Sequence, residues 1–331
     1  MKKKCLLLLL FLPFWSCTGC SSEESGEKGQ EGGKEESVTV VSKTVPLADP
    51  YILVHDGMYY IYGTNAGNGF DVYYSKDLEF WERNSALALS HTNSYGQNNF
   101  WAPEVYYVEK ENKFYMFYSA EEHICVATSD SPLGPFKQDE QKPIREEKSI
   151  DTSVFFDEDG KAYLYFVRFN DGNVIWCAEL KDNLKEIKEE TLTQCVKAEE
   201  PWELVLPKVA EGPSVFKQDG VYYLVYSANG YTSQDYAVGF ATSDSPFGPW
   251  KKYSGNPVLH RYEGLVGVGH GAPFFDKDGK MRYVFHAHRS DTEIHPRDSY
   301  VVDMSVKDGI ISMGGNLVRP MVVDKLPADK K

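Results

Sequence analysis

Between residues 38 and 331 the apolar residues come in short alternating runs separated by polar turns, which is the pattern of strands and hairpins. One copy is especially clear. Glu211-Gly212-Pro213-Ser214-Val215-Phe216 leads into Lys217-Gln218-Asp219-Gly220 and then into Val221-Tyr222-Tyr223-Leu224-Val225-Tyr226. An Asp-Gly pair between two such runs predicts a tight hairpin. The same phrase recurs at Asp49–Tyr62, Ala102–Tyr118, Asp151–Phe166 and Gly271–His286. A second phrase, Ala-Thr-Ser-Asp-Ser-Pro, follows two of the hairpins at 127–132 and 241–246 and predicts a third strand and an outer strand. Each unit then holds four strands over roughly 50 to 60 residues, and such units bury both faces only by stacking around an axis. The pattern predicts an all-β fold, a five-bladed β-propeller of four-stranded antiparallel blades around a central channel.

Composition narrows the function. The chain of 331 residues carries a net charge of -14, which disfavours nucleic acid and anionic membrane as partners. Its 22 tyrosines suit strands and stacking surfaces. The first twenty residues read as an address. Lys2-Lys3-Lys4 precedes an apolar run from Cys5 to Trp15, too short to span a bilayer, and the segment ends in Ser16-Cys17-Thr18-Gly19-Cys20. This is the shape of a signal peptide with a lipoprotein-type processing site at Cys17 or Cys20. Residues 21–37 are almost wholly Ser, Glu, Gly and Lys and predict a disordered tether. The expected product is an exported, cell-surface or periplasmic bacterial lipoprotein, a monomer that meets the membrane only through its lipid. Cys125, Cys177 and Cys195 lie in or beside apolar runs without metal-ligand spacing and read as small buried hydrophobes.

The first strand of a propeller blade lines the channel, so residues at its start face one shared pocket. Aligned copies begin with Asp49, Ala102, Asp151, Gly212 and Gly271, and Glu211 stands one place ahead of Gly212. Three carboxylates from three blades thus converge. Like charges held together raise one another's pKa, a cost for folding that suggests a use. A carboxylic acid facing a carboxylate across a small pocket is what glycoside hydrolysis requires. Trp101 and Phe100 precede the second copy, where an aromatic can floor a sugar ring. Glu104 lies two residues into its strand, on the same face as the first position.

In Ala48-Asp49-Pro50-Tyr51-Ile52, Trp101-Ala102-Pro103-Glu104-Val105, Ile150-Asp151-Thr152-Ser153, Glu211-Gly212-Pro213-Ser214 and Gly269-His270-Gly271 the chain resembles glycoside hydrolase family 43. The resemblance implies that Asp49 is the general base, Glu211 the general acid, and Asp151 the carboxylate that tunes and orients the acid. It implies inversion, with Asp49 and Glu211 roughly 6.5 to 9.5 Å apart. It implies that His270 holds a hydrated structural calcium in the channel, with no cofactor needed for the chemistry, and that Arg289, near His286 and His288, contacts a sugar hydroxyl. The expected substrate is a plant cell-wall oligo- or polysaccharide. The leading activity is an exo-acting α-L-arabinofuranosidase on arabinan or arabinoxylan, because no β-sandwich module follows the repeats. The alternatives are a β-xylosidase, an endo-acting arabinanase or xylanase, and a non-catalytic glycan-binding propeller.

Overall fold

A computed structural model describes residues 39–206 and 208–324. The expected signal peptide, both candidate lipidation cysteines and the whole of the expected tether lie outside the described residues. With a small two-stranded sheet of Gly69–Phe70 and Leu89–Ser90 between the first two, five blade sheets follow one another along the chain. Their innermost strands are Ala48–His55, Phe100–Val108, Ser149–Phe156, Ala210–Gln218 and Gly269–Phe275. Each pairs antiparallel with the strand that follows it. Among the described residues the only helices are single 3-10 turns.

Side-chain alternation explains how the blades adhere. In Val221–Ala228, Tyr223 and Val225 enter the core shared with the fifth blade, while Leu224 and Tyr226 enter the core shared with the third. In Lys113–Ala120, Met116 and Tyr118 face the first blade and Tyr115 and Phe117 the third. Five apolar clusters result, one between each adjacent pair of blades, and the cluster of Ile52, Ile61, Trp81, Phe274 and Val284 closes the ring between the fifth blade and the first. Each large side chain buried there contributes about 1.5–3 kcal/mol, so the interblade faces dominate the stability of the ring. The tyrosine runs of the sequence are this packing.

The ring is also joined by hydrogen bonds. Met321–Asp324 lies parallel beside Phe80–Arg83 of the first blade, and Thr39–Thr44 pairs antiparallel with it, so both ends of the propeller extend one sheet. The second blade has three paired strands. Its fourth position is taken by a short segment in which Lys137 bridges Thr128 and Phe136 bridges Leu89 of the preceding connection.

The turns follow the sequence closely. Asp56-Gly57 and Asp219-Gly220 both have positive φ at both residues, as a type I′ hairpin requires. The three cysteines of the propeller are unpaired, with Cys125 and Cys177 buried.

Candidate active site

One backbone irregularity recurs in all five inner strands and builds the site. Pairing with the neighbouring strand slips between Ala48 and Tyr51, Trp101 and Glu104, Ile150 and Ser153, Glu211 and Ser214, and Gly269 and Ala272. The first residue skipped is left-handed each time: Asp49 (φ 51°), Ala102 (45°), Asp151 (57°), Gly212 (56°) and His270 (40°). A bulge of this kind bends the strand and re-aims a side chain. Four of the five residues bear a β-carbon, for which a left-handed conformation costs on the order of 1–3 kcal/mol. That cost recurs where Asp49, Asp151 and His270 are brought together. The fifth repeat is therefore registered one residue earlier than the sequence alignment has it: His270, not Gly271, is the counterpart of Asp49.

Asp49 is buried, and both of its oxygens are engaged. Oδ1 accepts from Arg297 Nη1 at 2.9 Å and Oδ2 from Thr64 Oγ1 at 2.7 Å. His270 Nδ1 and His286 Nδ1 each stand 3.3 Å from Oδ1, and the backbone N–H of Asp49 donates to His286 Nδ1. Burial alone would push this carboxyl up. The guanidinium of Arg297 outweighs it and holds Asp49 well below the usual carboxylate range. Burial also drives both histidines down, His286 to about 3, so both are neutral and the permanent charge on Arg297 is the main counterion.

Glu211 is set the other way. Its Oε1 accepts from the Tyr236 hydroxyl and its Oε2 from Asn173 Nδ2, each at 2.8 Å. Burial raises it to about 7, with the Asp49 charge adding to the rise and the two hydrogen bonds opposing it. The ring of Tyr236 stacks on His286 at 5.6 Å, so one aromatic pair spans from the partner of the acid to the partner of the base. Asp151 accepts from the Gly212 N–H at 3.2 Å and lies 3.9 Å from His270 Nδ1. Burial, then the charges of Glu211 and Asp49, push it well up. Repulsion between carboxylates is reciprocal, so near neutral pH the Asp151–Glu211 pair retains a proton. Gly212 is left-handed, and a β-carbon there would stand 2.8 Å from the His270 ring.

These groups open into a cavity of ≈ 340 Å³ lined by Asp49, Asp151, Glu211, His270, Trp101 and Tyr231 among others. A second cavity of ≈ 720 Å³, lined by Asn65, Asn98, Asn99 and His295, shares Trp101, Tyr231 and Arg297 with it.

Several expected residues sit elsewhere. Phe100 is 1% exposed and packs in the core against Phe70 and Tyr118, because strand alternation turns it away from the neighbouring Trp101. Arg289 is half exposed and paired with Glu293; the arginine in the site is Arg297. Glu104 lies beneath the pocket in a small axial cavity with Asp151 and His270, where it accepts from the Tyr106 hydroxyl. Burial pushes it up to about 8. As to the calcium, His270 Nδ1 is turned to the two carboxylates. Among the described residues no group of three or more His, Cys, Asp and Glu side chains could hold an ion.

Arg297, Tyr236, Asn173 and Tyr231 have no place in the repeat and were invisible to it. The weak signal for Tyr236 and Asn173 is that each opens or immediately precedes the third strand of its blade, level with the channel mouth.

The model of the family Glycosyl hydrolases family 43 matches residues 40–311. A solved structure described as an endo-1,4-beta-xylanase from Bacteroides thetaiotaomicron is 57% identical, with a TM-score of 0.84, covering 86% of this chain and 100% of that one. A beta-D-galactofuranosidase from Aspergillus niger is 26% identical over 268 residues, 73% of this chain and 74% of the relative. A xylosidase/arabinosidase from Humicola insolens is 29% identical over 273 residues, 64% of this chain and 81% of the relative. The match over most of the propeller, with buried carboxylates from three blades at its channel, places this chain in glycosyl hydrolases family 43: it is a glycoside hydrolase.

Proposed function

We propose that the enzyme hydrolyses pentose-containing plant cell-wall glycans with inversion, releasing terminal α-L-arabinofuranose. The observation that supports the acid–base reading is the opposite setting of two buried carboxyls, Asp49 held ionised by Arg297 and Glu211 raised to about 7. In this mechanism Asp49 takes a proton from a water molecule as the water oxygen bonds to the anomeric carbon. Glu211 gives its proton to the glycosidic oxygen as the bond from that oxygen to the anomeric carbon breaks. The products are a sugar of inverted configuration and a free alcohol, and solvent returns the proton from Asp49 to Glu211. Asp151, beside the Gly212 N–H, acts on the acid as a positioning residue.

The choice of a furanose draws on the names of relatives, one a galactofuranosidase and one a xylosidase/arabinosidase. Cleavage within a 1,4-linked xylan is the second reading, favoured by the 57% identical neighbour. Free arabinose from arabinan or arabinoxylan, with no xylose from xylan, is the expected result of a product assay. Xylo-oligosaccharides from unbranched xylan would select the second reading, and no product from any glycan would remove both.

We further propose export and lipid attachment through Cys17 or Cys20, supported by the amino-terminal sequence. Metabolic labelling with a palmitate analogue that is lost in the Cys17→Ser, Cys20→Ser double variant is the expected result.

A further inference from the structure

Of the nine large apolar side chains exposed among the described residues, Phe169 (44%) and Tyr231 (39%) line the pocket, and Leu204 (45%), Val205 (58%) and Leu206 (38%) lie on the loop packed on Asn229 and Gly230 at its rim. A patch of this kind at the mouth of a site marks a binding surface more often than chance exposure. Phe169 and Tyr231 line the catalytic cavity itself. The loop carrying the other three is held in place: the backbone N–H groups of Val205 and Leu206 both donate to Asn229 Oδ1, at 2.9 and 3.1 Å, and Asn229 is fully buried. Leu206 rests over Gly230, where a β-carbon would stand 2.6 Å from Leu206 Cδ2. The apolar rim is therefore a fixed surface.

Its position relative to the acid identifies what it holds. Phe169 is paired across its hairpin with Asn173, which donates to Glu211 Oε2. Val209, two residues before Glu211, bridges Asn173 and lines the same cavity. The Phe169 side of the rim thus borders Glu211, whereas Tyr231, which lies against Arg297, and the second cavity border Asp49 through Ala48, Thr64 and Arg297. In an inverting reaction the acid must reach the departing oxygen, so the leaving group lies on the acid's side and the attacking water on the base's. We infer that Phe169 and the Leu204–Leu206 loop form the platform for the leaving glycan chain. The first backbone sugar lays its C–H face on Phe169, and the next spans Leu206. This rests on the acid assignment of Glu211. It makes the preferred substrate a sugar attached to a chain rather than to a small alcohol.

The test compares two substrates that share a glycone. α-L-Arabinofuranosyl fluoride has a leaving group too small to touch the rim, and α-1,5-linked arabinotriose has a glycosyl one. β-D-Xylosyl fluoride and xylotriose are run in parallel. For Phe169→Ala and for the Val205→Ser, Leu206→Ser double variant, the ratio of kcat/KM for the trisaccharide to that for the fluoride should fall tenfold or more, mostly through KM. The ratio does not depend on the fraction of enzyme correctly folded. An unchanged ratio with both substrates still cleaved would overturn the platform alone. Wild-type enzyme inactive on all four would overturn the pentose reading and the platform with it, and a Glu211→Gln variant that cleaves the trisaccharide as fast as wild type would overturn the acid assignment on which the platform rests. A fall in apparent mass to one half on gel filtration of the double variant, with the ratio unchanged, would assign the rim to a second copy of this chain.

Discussion

Arg297 and Asp49 are 248 residues apart in the chain and 2.9 Å apart in the fold. The arginine comes from the loop before the third strand of the last blade, the aspartate from the first strand of the first, so the site is completed only when the ring closes. Asp49 would be driven neutral by burial, and Arg297 is the charge that prevents it. Removing it in Arg297→Ala should bring the Asp49 carboxyl up. Since catalysis in the proposed mechanism needs Asp49 ionised, the acid limb of the pH–rate profile should move to higher pH. A charged hydrogen-bond partner is worth about 1.5–3 kcal/mol, so kcat/KM should fall roughly 10- to 100-fold. Arg297→Lys should recover part of both effects.

Glu211 is the counterpart. Loss of a general acid costs roughly 10²–10⁴ in rate, and the loss depends on how much help the leaving group needs. Glu211→Gln should therefore be crippled on glycans, whose alkoxide leaving groups require a proton. It should be far less affected on aryl glycosides with acidic phenols. Equal loss on both would contradict the acid assignment.

The alkaline side of the profile follows from the same residue. With Glu211 near pH 7, activity should hold below that value and decline above it as the acid loses its proton. Tyr236 donates to the ionised form and so opposes the rise. Tyr236→Phe should shift the alkaline limb upward and lower kcat modestly, and a merely structural role for Tyr236 would leave the limb in place. Stability carries the same sign. The folded pKa lies above the ordinary 4.5 of glutamate, so the proton that favours the native state is held by it and lost by the unfolded chain between pH 4.5 and 7. The contribution is complete below that window and gone above it. Glu211→Gln, uncharged throughout, should gain thermal stability relative to wild type as pH rises from 5 to 8.

How much of this was legible in the sequence depends on whether a residue belongs to the repeat. The hairpins at Asp56-Gly57 and Asp219-Gly220 and the alternating tyrosines announced five blades because local turn chemistry and period-two burial are written residue by residue. Asp49 and Asp151 were visible for the same reason, being charged where other copies carry Ala102 or Gly212, and so was Glu211, one place ahead, where other copies carry Ala48, Trp101 or Ile150. The one-residue slip at His270 was not visible, since Gly271 fits a turn as well as Gly212 does and only strand pairing decides between them. Arg297 lost to Arg289 because loops carry no period. Phe100 and Trp101 are adjacent aromatics that alternation sends to opposite faces, and the bulge that follows them hides which is which.

The loop that bears the apolar rim depends on a buried ion pair, and this gives a stability prediction independent of catalysis. Glu203 is fully buried and satisfied on every side: Lys252 Nζ at 2.6 Å, the Tyr226 hydroxyl at 2.5 Å, and the backbone N–H groups of Glu199 and Glu200 at 2.7 and 2.8 Å. The 3-10 turn Pro201–Glu203 is closed by this side chain. Deleting one member of a buried pair leaves the other charge without a partner, at a cost of about 3–5 kcal/mol, whereas replacing both can be nearly neutral. Glu203→Ala should therefore lower the melting temperature sharply, since the Lys252 ammonium, only 15% exposed, cannot readily find water. A Glu203→Gln, Lys252→Met double variant keeps the hydrogen-bonding oxygen and removes both charges, so it should recover much of the loss. If it melts as early as Glu203→Ala, the turn itself and not the stranded charge is what fails, and the Leu204–Leu206 loop that follows should become a site of proteolysis in both.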